Sequence, residues 1–125
     1  MNQFIFVAIG GACGASLRHL VGLAALRSFG SGLPYGTMIC NIVGSFFMGL
    51  LIHFLAVRFS ASTEIRLLLT TGLLGGFTTF STFSLDIVTM TERGQSGLAL
   101  FYIAISLAGG IVALFVGLSA ARALV

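Results

Sequence analysis

One stretch of this chain has the side chains to handle an ion. Inside a long apolar run, the pair Gly75-Gly76 is followed by phenyl rings alternating with hydroxyls, Phe77-Thr78-Thr79-Phe80-Ser81-Thr82-Phe83-Ser84. A segment that only anchored the chain would be leucine and valine throughout. The glycines predict a helix break at Gly75-Gly76. Irregular backbone at membrane depth survives only where protein surrounds it or where it lines a cavity. A helix restarting after the break points its positive dipole end and free amides inward, which suits an anion, and the carbonyls released on the other side suit a cation. Phe77, Phe80 and Phe83 stand three apart and share a face on any helical stretch. Thr78 or Thr79, then Thr82, then Asp86, form a neighbouring polar line. Phenyl edges carry the positive end of the ring quadrupole, so rings set edge-on face an anion without gripping it. An aromatic stripe is most often plain core, and the adjoining hydroxyls and glycines set this one apart.

Two further polar groups need a reason. Arg18 falls about two turns from the end of the first apolar run, deep for a permanent charge. Snorkelling relieves part of that cost, and an aqueous vestibule that attracts anions relieves more. Asn41 lies within Gly36-Thr37-Met38-Ile39-Cys40-Asn41-Ile42-Val43-Gly44-Ser45, and its amide offers two donors and an acceptor. It makes either an interhelical hydrogen bond or a donor presented to a desolvated anion, and the rings and hydroxyls favour the second. His19 and His53 have no cysteine or carboxylate at ligand spacing, and no serine or threonine has a plausible base, so an enzyme is not expected. Cys13 and Cys40 show neither metal-ligand spacing nor the setting of a structural disulfide.

Composition fixes the solvent. The 125 residues are 58% hydrophobic and only 7% charged, with a mean hydropathy of +1.14. A soluble domain carries about a quarter charged residues, so this chain is read as an integral membrane protein. Four runs, roughly 3–26, 35–58, 65–90 and 97–121, reach the ~20 apolar residues of a spanning helix. The connections are short, so the whole of 1–125 is expected to be one all-α, four-helix transmembrane domain with no signal peptide removed. Ser62 or Thr63 suits an N-cap before Glu64, and Pro34 suits the start of the second helix. Small residues at four-residue spacing (Gly10 and Gly14; Gly72 and Gly76; Gly109, Ala113 and Gly117) predict closely packed helices. The positive charge comes from six scattered arginines, which form no nucleic-acid patch. Arg58, Arg66 and Arg122 would lie on one side of the membrane, Arg27 and Arg93 on the other. That bias is too weak for the positive-inside rule to set one topology. Either the chain inserts both ways and pairs antiparallel, or its few charges happen to balance.

Three segments together resemble the Fluc (CrcB) family of small dual-topology fluoride channels: Gly10 to Arg18, Gly36 to Ser45, and Gly75 to Ser84. The likeness runs from end to end. It implies an antiparallel homodimer in the bacterial inner (plasma) membrane, with two pores each lined by both subunits. Phe80 and Phe83 then match the family's pore phenylalanines, Asn41 its pore asparagine and Arg18 its vestibule arginine. The carbonyls of Gly75 and Thr78 hold a structural Na+ at the dimer axis. Ser81, Thr82, Thr79 and Asp86 belong to the polar track, and Tyr102 and Ser106 face the pore from helix four. Asp86 stands where glutamate is common in the family, and Gly110 where a serine is common. The function implied is passive, selective fluoride export. A small multidrug-type exporter is the alternative, but it needs a carboxylate in helix one and tryptophan, and this chain has Arg18 and no Trp. A structural membrane subunit would need neither the hydroxyl line nor a bound ion.

Overall fold

A computed structural model describes residues 2–58 and 62–125. Residues 59–61 of the second expected connection lie outside them. The described residues are helical apart from short connections. Helix α1 runs Asn2–Phe29 and α2 runs Tyr35–His53, the latter continuing as π-helical turns over Phe54–Arg58. The third segment opens with α3, Thr63–Arg66, widens into a π-helix over Leu67–Leu74 and returns to α-geometry in α4, Gly75–Phe77. Helix α5, Ser81–Glu92, follows after a gap, and α6, Ser96–Leu124, closes the chain. Among the described residues, four stretches are long and apolar enough to cross a membrane: Gln3–Phe29, Tyr35–Val57, Thr63–Glu92 and Ser96–Leu124.

The helix ends follow local chemistry. Gly30, at φ +78°, donates its N–H to Leu26 O at 3.0 Å, a left-handed cap that closes α1. Gly94, also at φ +78°, donates to Thr91 O while Gln95 donates to Met90 O, the paired bonds of a Schellman ending for α5. Ser62 caps α3, its Oγ accepting from Ile65 N–H at 3.3 Å.

Packing is set by glycine. A Cβ added to Gly10 would meet backbone atoms of the π-helix, including Leu73 N at 2.8 Å and Gly72 Cα at 2.9 Å. One on Gly14 would meet Phe77 N at 2.8 Å, and one on Gly76 would meet Gly11 O at 2.7 Å. Helix α1 and the third segment therefore touch backbone to backbone. A second seam joins α2 to α6, where a Cβ on Gly49 would lie 2.9 Å from Leu118 N and one on Gly117 would lie 3.1 Å from Leu50 N. The buried core is small (Phe83, Met90, Ala99 and Tyr102 form its main cluster), and large apolar groups such as Phe4, Leu20 and Phe115 are exposed. That inversion suits hydrocarbon as solvent, where association rests on close packing rather than on apolar burial.

Gly10→Val is expected to lower the melting temperature of the detergent-solubilised protein, consistent with overpacking of about 1–3 kcal/mol. Gly97→Ala, whose Cβ meets nothing within 4 Å, is the control. Equal melting of the two variants would refute the glycine seam.

Candidate functional site

The interruption in the third span is the centre of the site, and it is not where the glycines suggested. Gly75 is helical, at φ −62° and ψ −36°. The chain leaves the helix at Thr78, which is extended at φ −87° and ψ 159°, and resumes it at Ser81. The expected break at Gly75-Gly76 is thus corrected to Thr78–Phe80. Gly76 serves the close approach to α1, whereas a Cβ on Gly75 would meet only Thr70 O at 3.6 Å; the break itself is bridged by a side chain from another helix. Asn41 Nδ2 donates to Thr79 O at 3.0 Å, and Thr79 N–H donates to Asn41 Oδ1 at 2.8 Å. The amide mimics a strand partner for one residue, so the interhelical hydrogen bond is real. One Nδ2 proton is left over.

The consequence for the carbonyls can be read from the donors. In a continuous helix Thr79 N–H would go to Gly75 O and Thr82 N–H to Thr78 O. Instead Thr79 N–H goes to Asn41, and Thr82 N–H goes to Thr79 Oγ1 at 3.2 Å. Gly75 O and Thr78 O are therefore among the carbonyls whose usual partners are diverted. The Gly76 carbonyl between them accepts from Arg18 Nε at 3.0 Å. Arg18 is half-buried, and its guanidinium caps the end of α4 rather than reaching away to the membrane surface. Among the described residues no three His, Cys, Asp or Glu side chains come together as a metal site. A cation here would have to be held by backbone and hydroxyl oxygens, as hard cations prefer.

Two cavities meet at the break, and a third lies further along α5. One of about 360 Å³ is lined by Asn41, Ser45, Thr79, Phe80, Phe83 and Ser106, among others. Phe80 is 77% exposed and stands at its rim, while Phe83 is 7% exposed and forms its wall. The two ring centroids are 6.0 Å apart. Ser106 Oγ is buried with no hydrogen-bond partner among the described residues. The second cavity, about 310 Å³, holds Arg18 and His19 with Thr37, Thr79 and Thr82. Thr79 therefore separates a ring-lined space from an arginine-lined one. The third, about 400 Å³, shares Thr37 with the second and carries Asp86, Thr89 and Arg93 toward the 30–34 connection.

Not every expected residue joins the cavities. Ser81 is exposed and lines none of the three. Tyr102 lines none either; it lies behind Phe83 with its hydroxyl on Asp86. Phe77 leaves the ring stripe, because the extended Thr78 breaks the three-residue register, and its ring packs by Gly44 instead. Ser45 and Thr37 were not assigned roles from sequence, although Thr37, Asn41 and Ser45 stand four apart and so share one helix face. That spacing was the available signal. Ser45 Oγ donates to Asn41 O at 2.7 Å. A Cβ on Gly110 would sit 3.5 Å from Ser45 Oγ, ordinary contact, so the position has room for a side chain.

A small four-span membrane protein with a helix interrupted at mid-chain, and with paired rings and uncommitted donors at the interruption, is the class defined here. Sequence comparison places it within that class. Residues 5–118 match the family model described as CrcB-like protein, Camphor Resistance (CrcB), and the chain belongs to that family. A Chelativorans protein is 54% identical over 124 residues, covering 99% of both chains. An Agrobacterium fabrum protein is 52% identical over 122 residues, with 98% of each covered. One from Hyphomonas neptunium is 54% identical over 123 residues, covering 98% of this chain and 97% of its own. All three bear the name Fluoride-specific ion channel FluC.

Asn41→Ala is expected to release Thr79 and to cost about 1–3 kcal/mol for each backbone group left unsatisfied. Hydrogen exchange over residues 74–83 would read this as loss of protection at the Thr79 amide. Unchanged protection there would show that the break does not depend on Asn41.

Proposed function

We propose that this chain is a fluoride-specific ion channel that lets cytoplasmic fluoride leave passively down its electrochemical gradient. The observation that carries the reading is one cavity lined together by Phe80, Phe83, Asn41 with its spare Nδ2–H, and Ser106, whose buried hydroxyl has no partner among the described residues. Relatives covering nearly the whole chain and named as fluoride-specific channels support it.

A desolvated fluoride ion needs its lost water replaced by donors that let go again. Asn41 supplies one N–H and Ser106 one O–H, and ring edges at Phe80 and Phe83 add weak positive potential. Arg18 keeps N–H donors beyond the one spent on Gly76 O, and they serve a vestibule with Thr37, Thr79 and Thr82. The ion then passes Thr79 between the vestibule and the rings. Thr82 continues a polar track toward the third cavity, on whose wall Asp86 is held by the Tyr102 hydroxyl rather than offered to the ion. Ser81, exposed on the same turn, joins the track only in an assembly. Fluoride enters a cell as neutral acid and ionises inside, so a passive leak suffices for export.

The residues also fit a structural Na+, because Gly75 O and Thr78 O lose their amide partners at the break. Bound there, the ion would fix those oxygens by charge and hold the interruption open. The single four-helix unit would work as an antiparallel homodimer in the bacterial inner membrane, inserting in both orientations. The balanced arginines and the 77% exposure of Phe80, a pore ring standing at a cavity rim, support that reading. A drug exporter is disfavoured by Arg18 and the absence of tryptophan and of any acid in the first span.

Fluoride-electrode measurement on proteoliposomes, with chloride as comparison, is the test. Wild-type protein should release fluoride and not chloride. Phe80→Ile or Phe83→Ile should slow efflux at least about tenfold, the loss of one ~1.4 kcal/mol interaction at the barrier, while the dimer still assembles. Undiminished efflux in both variants would remove the rings from the path, and proton-coupled drug uptake without fluoride leak would reverse the assignment.

A further inference from the structure

Tyr102 on α6 is completely buried, at 0% exposure. Its ring centroid lies 5.2 Å from that of Phe83, with the planes tilted by 49°. Its hydroxyl donates to Asp86 Oδ2 at 2.9 Å. Asp86 stands three residues after Phe83 on α5, about one turn along the same face. The contacts close a loop, from the Phe83 backbone down to the Asp86 carboxylate, across to the Tyr102 hydroxyl and back through the tilted ring contact. Met90 and Ala99 complete the buried cluster, with Met38, Ile87 and Ile103 packed against it. A phenol has one proton to donate, and here it is spent on the carboxylate. Ser106, one turn further along α6, lines the ring-lined cavity.

We propose that Tyr102 and Asp86 form a clamp that fixes the Phe83 ring, and hence the spacing of Phe83 from Phe80, so that both are positioning residues for the anion path and neither contacts the ion. The inference rests on the fluoride-channel reading. It deepens that reading by assigning Asp86 an acceptor's role and by making Tyr102 act through a ring.

Fluoride efflux from proteoliposomes separates the alternatives. Tyr102→Phe and Asp86→Ala should each slow efflux about tenfold, and the double variant should be no slower than either. Asp86→Asn, which keeps an oxygen acceptor without the charge, should stay within about twofold of wild type. Asp86→Ala at the wild-type rate beside a slow Tyr102→Phe would mean that the hydroxyl acts on the ion, and the clamp would fail. Asp86→Asn as slow as Asp86→Ala would assign the effect to charge, and multiplying effects in the double variant would show two independent roles; either result overturns the proposal. A second readout does not depend on conduction. With 4-fluorophenylalanine at position 83 alone, the fluorine resonance should shift or broaden in Tyr102→Phe, and an unchanged line would also overturn the clamp. If the wild-type protein released no fluoride, the channel reading would fall and the resonance alone would decide the clamp.

Discussion

The structure depends on one amide. Asn41 takes both the N–H and the C=O of Thr79, two residues of separate spans 38 positions apart. Backbone groups in the middle of a bilayer cannot be left to water, and each one unsatisfied there costs several kcal/mol. The third span can leave its helix only because a side chain has arrived that is shaped like a peptide group. Everything at the centre follows from that substitution. The carbonyls of Gly75 and Thr78 are freed, Gly76 O is given to Arg18, and α5 starts afresh with Thr79 Oγ1 receiving Thr82 N–H.

Two kinds of chemistry are thereby kept apart by a single turn of chain. On the α4 side lie carbonyl oxygens, the material of a cation site. On the α5 side lie rings and donors, the material of an anion path. Arg18 sits between them, with one guanidinium N–H on backbone oxygen and the rest of the group in a cavity shared with threonines. A permanent charge at this depth is tolerable because it is hydrogen-bonded within protein rather than exposed to lipid.

Much of this was legible in the residues because it is local. The four spans follow from hydropathy, the glycine seams from four-residue spacing, and the polar candidates from being polar where hydrocarbon is expected. What was not legible is tertiary. Gly75-Gly76 has the weak helix propensity of a break, yet in the fold both are helical, Gly76 making room for α1, and the partner at the break is an asparagine in another helix. Three phenylalanines at spacing three predict one face, but that rule presumes unbroken helix, and Thr78 separates Phe77 from the other two. Likewise a tyrosine on an apolar helix gives no sign whether its hydroxyl meets an ion or a carboxylate. The 16 residues between Asp86 and Tyr102 hide that bond from any periodicity.

The glycine seams have a different consequence, for how the protein tolerates change. Along Gly10, Gly14, Gly72 and Gly76 the smallest possible addition, a single methyl, already collides with backbone that cannot swing aside. Exposed positions such as Phe4, Leu20 and Phe115 have no such backbone pressed against them within the chain. The usual order of mutational risk is thus inverted. Large apolar residues on the outer faces are more replaceable than the seam residues with no side chain at all, which have no room to vary.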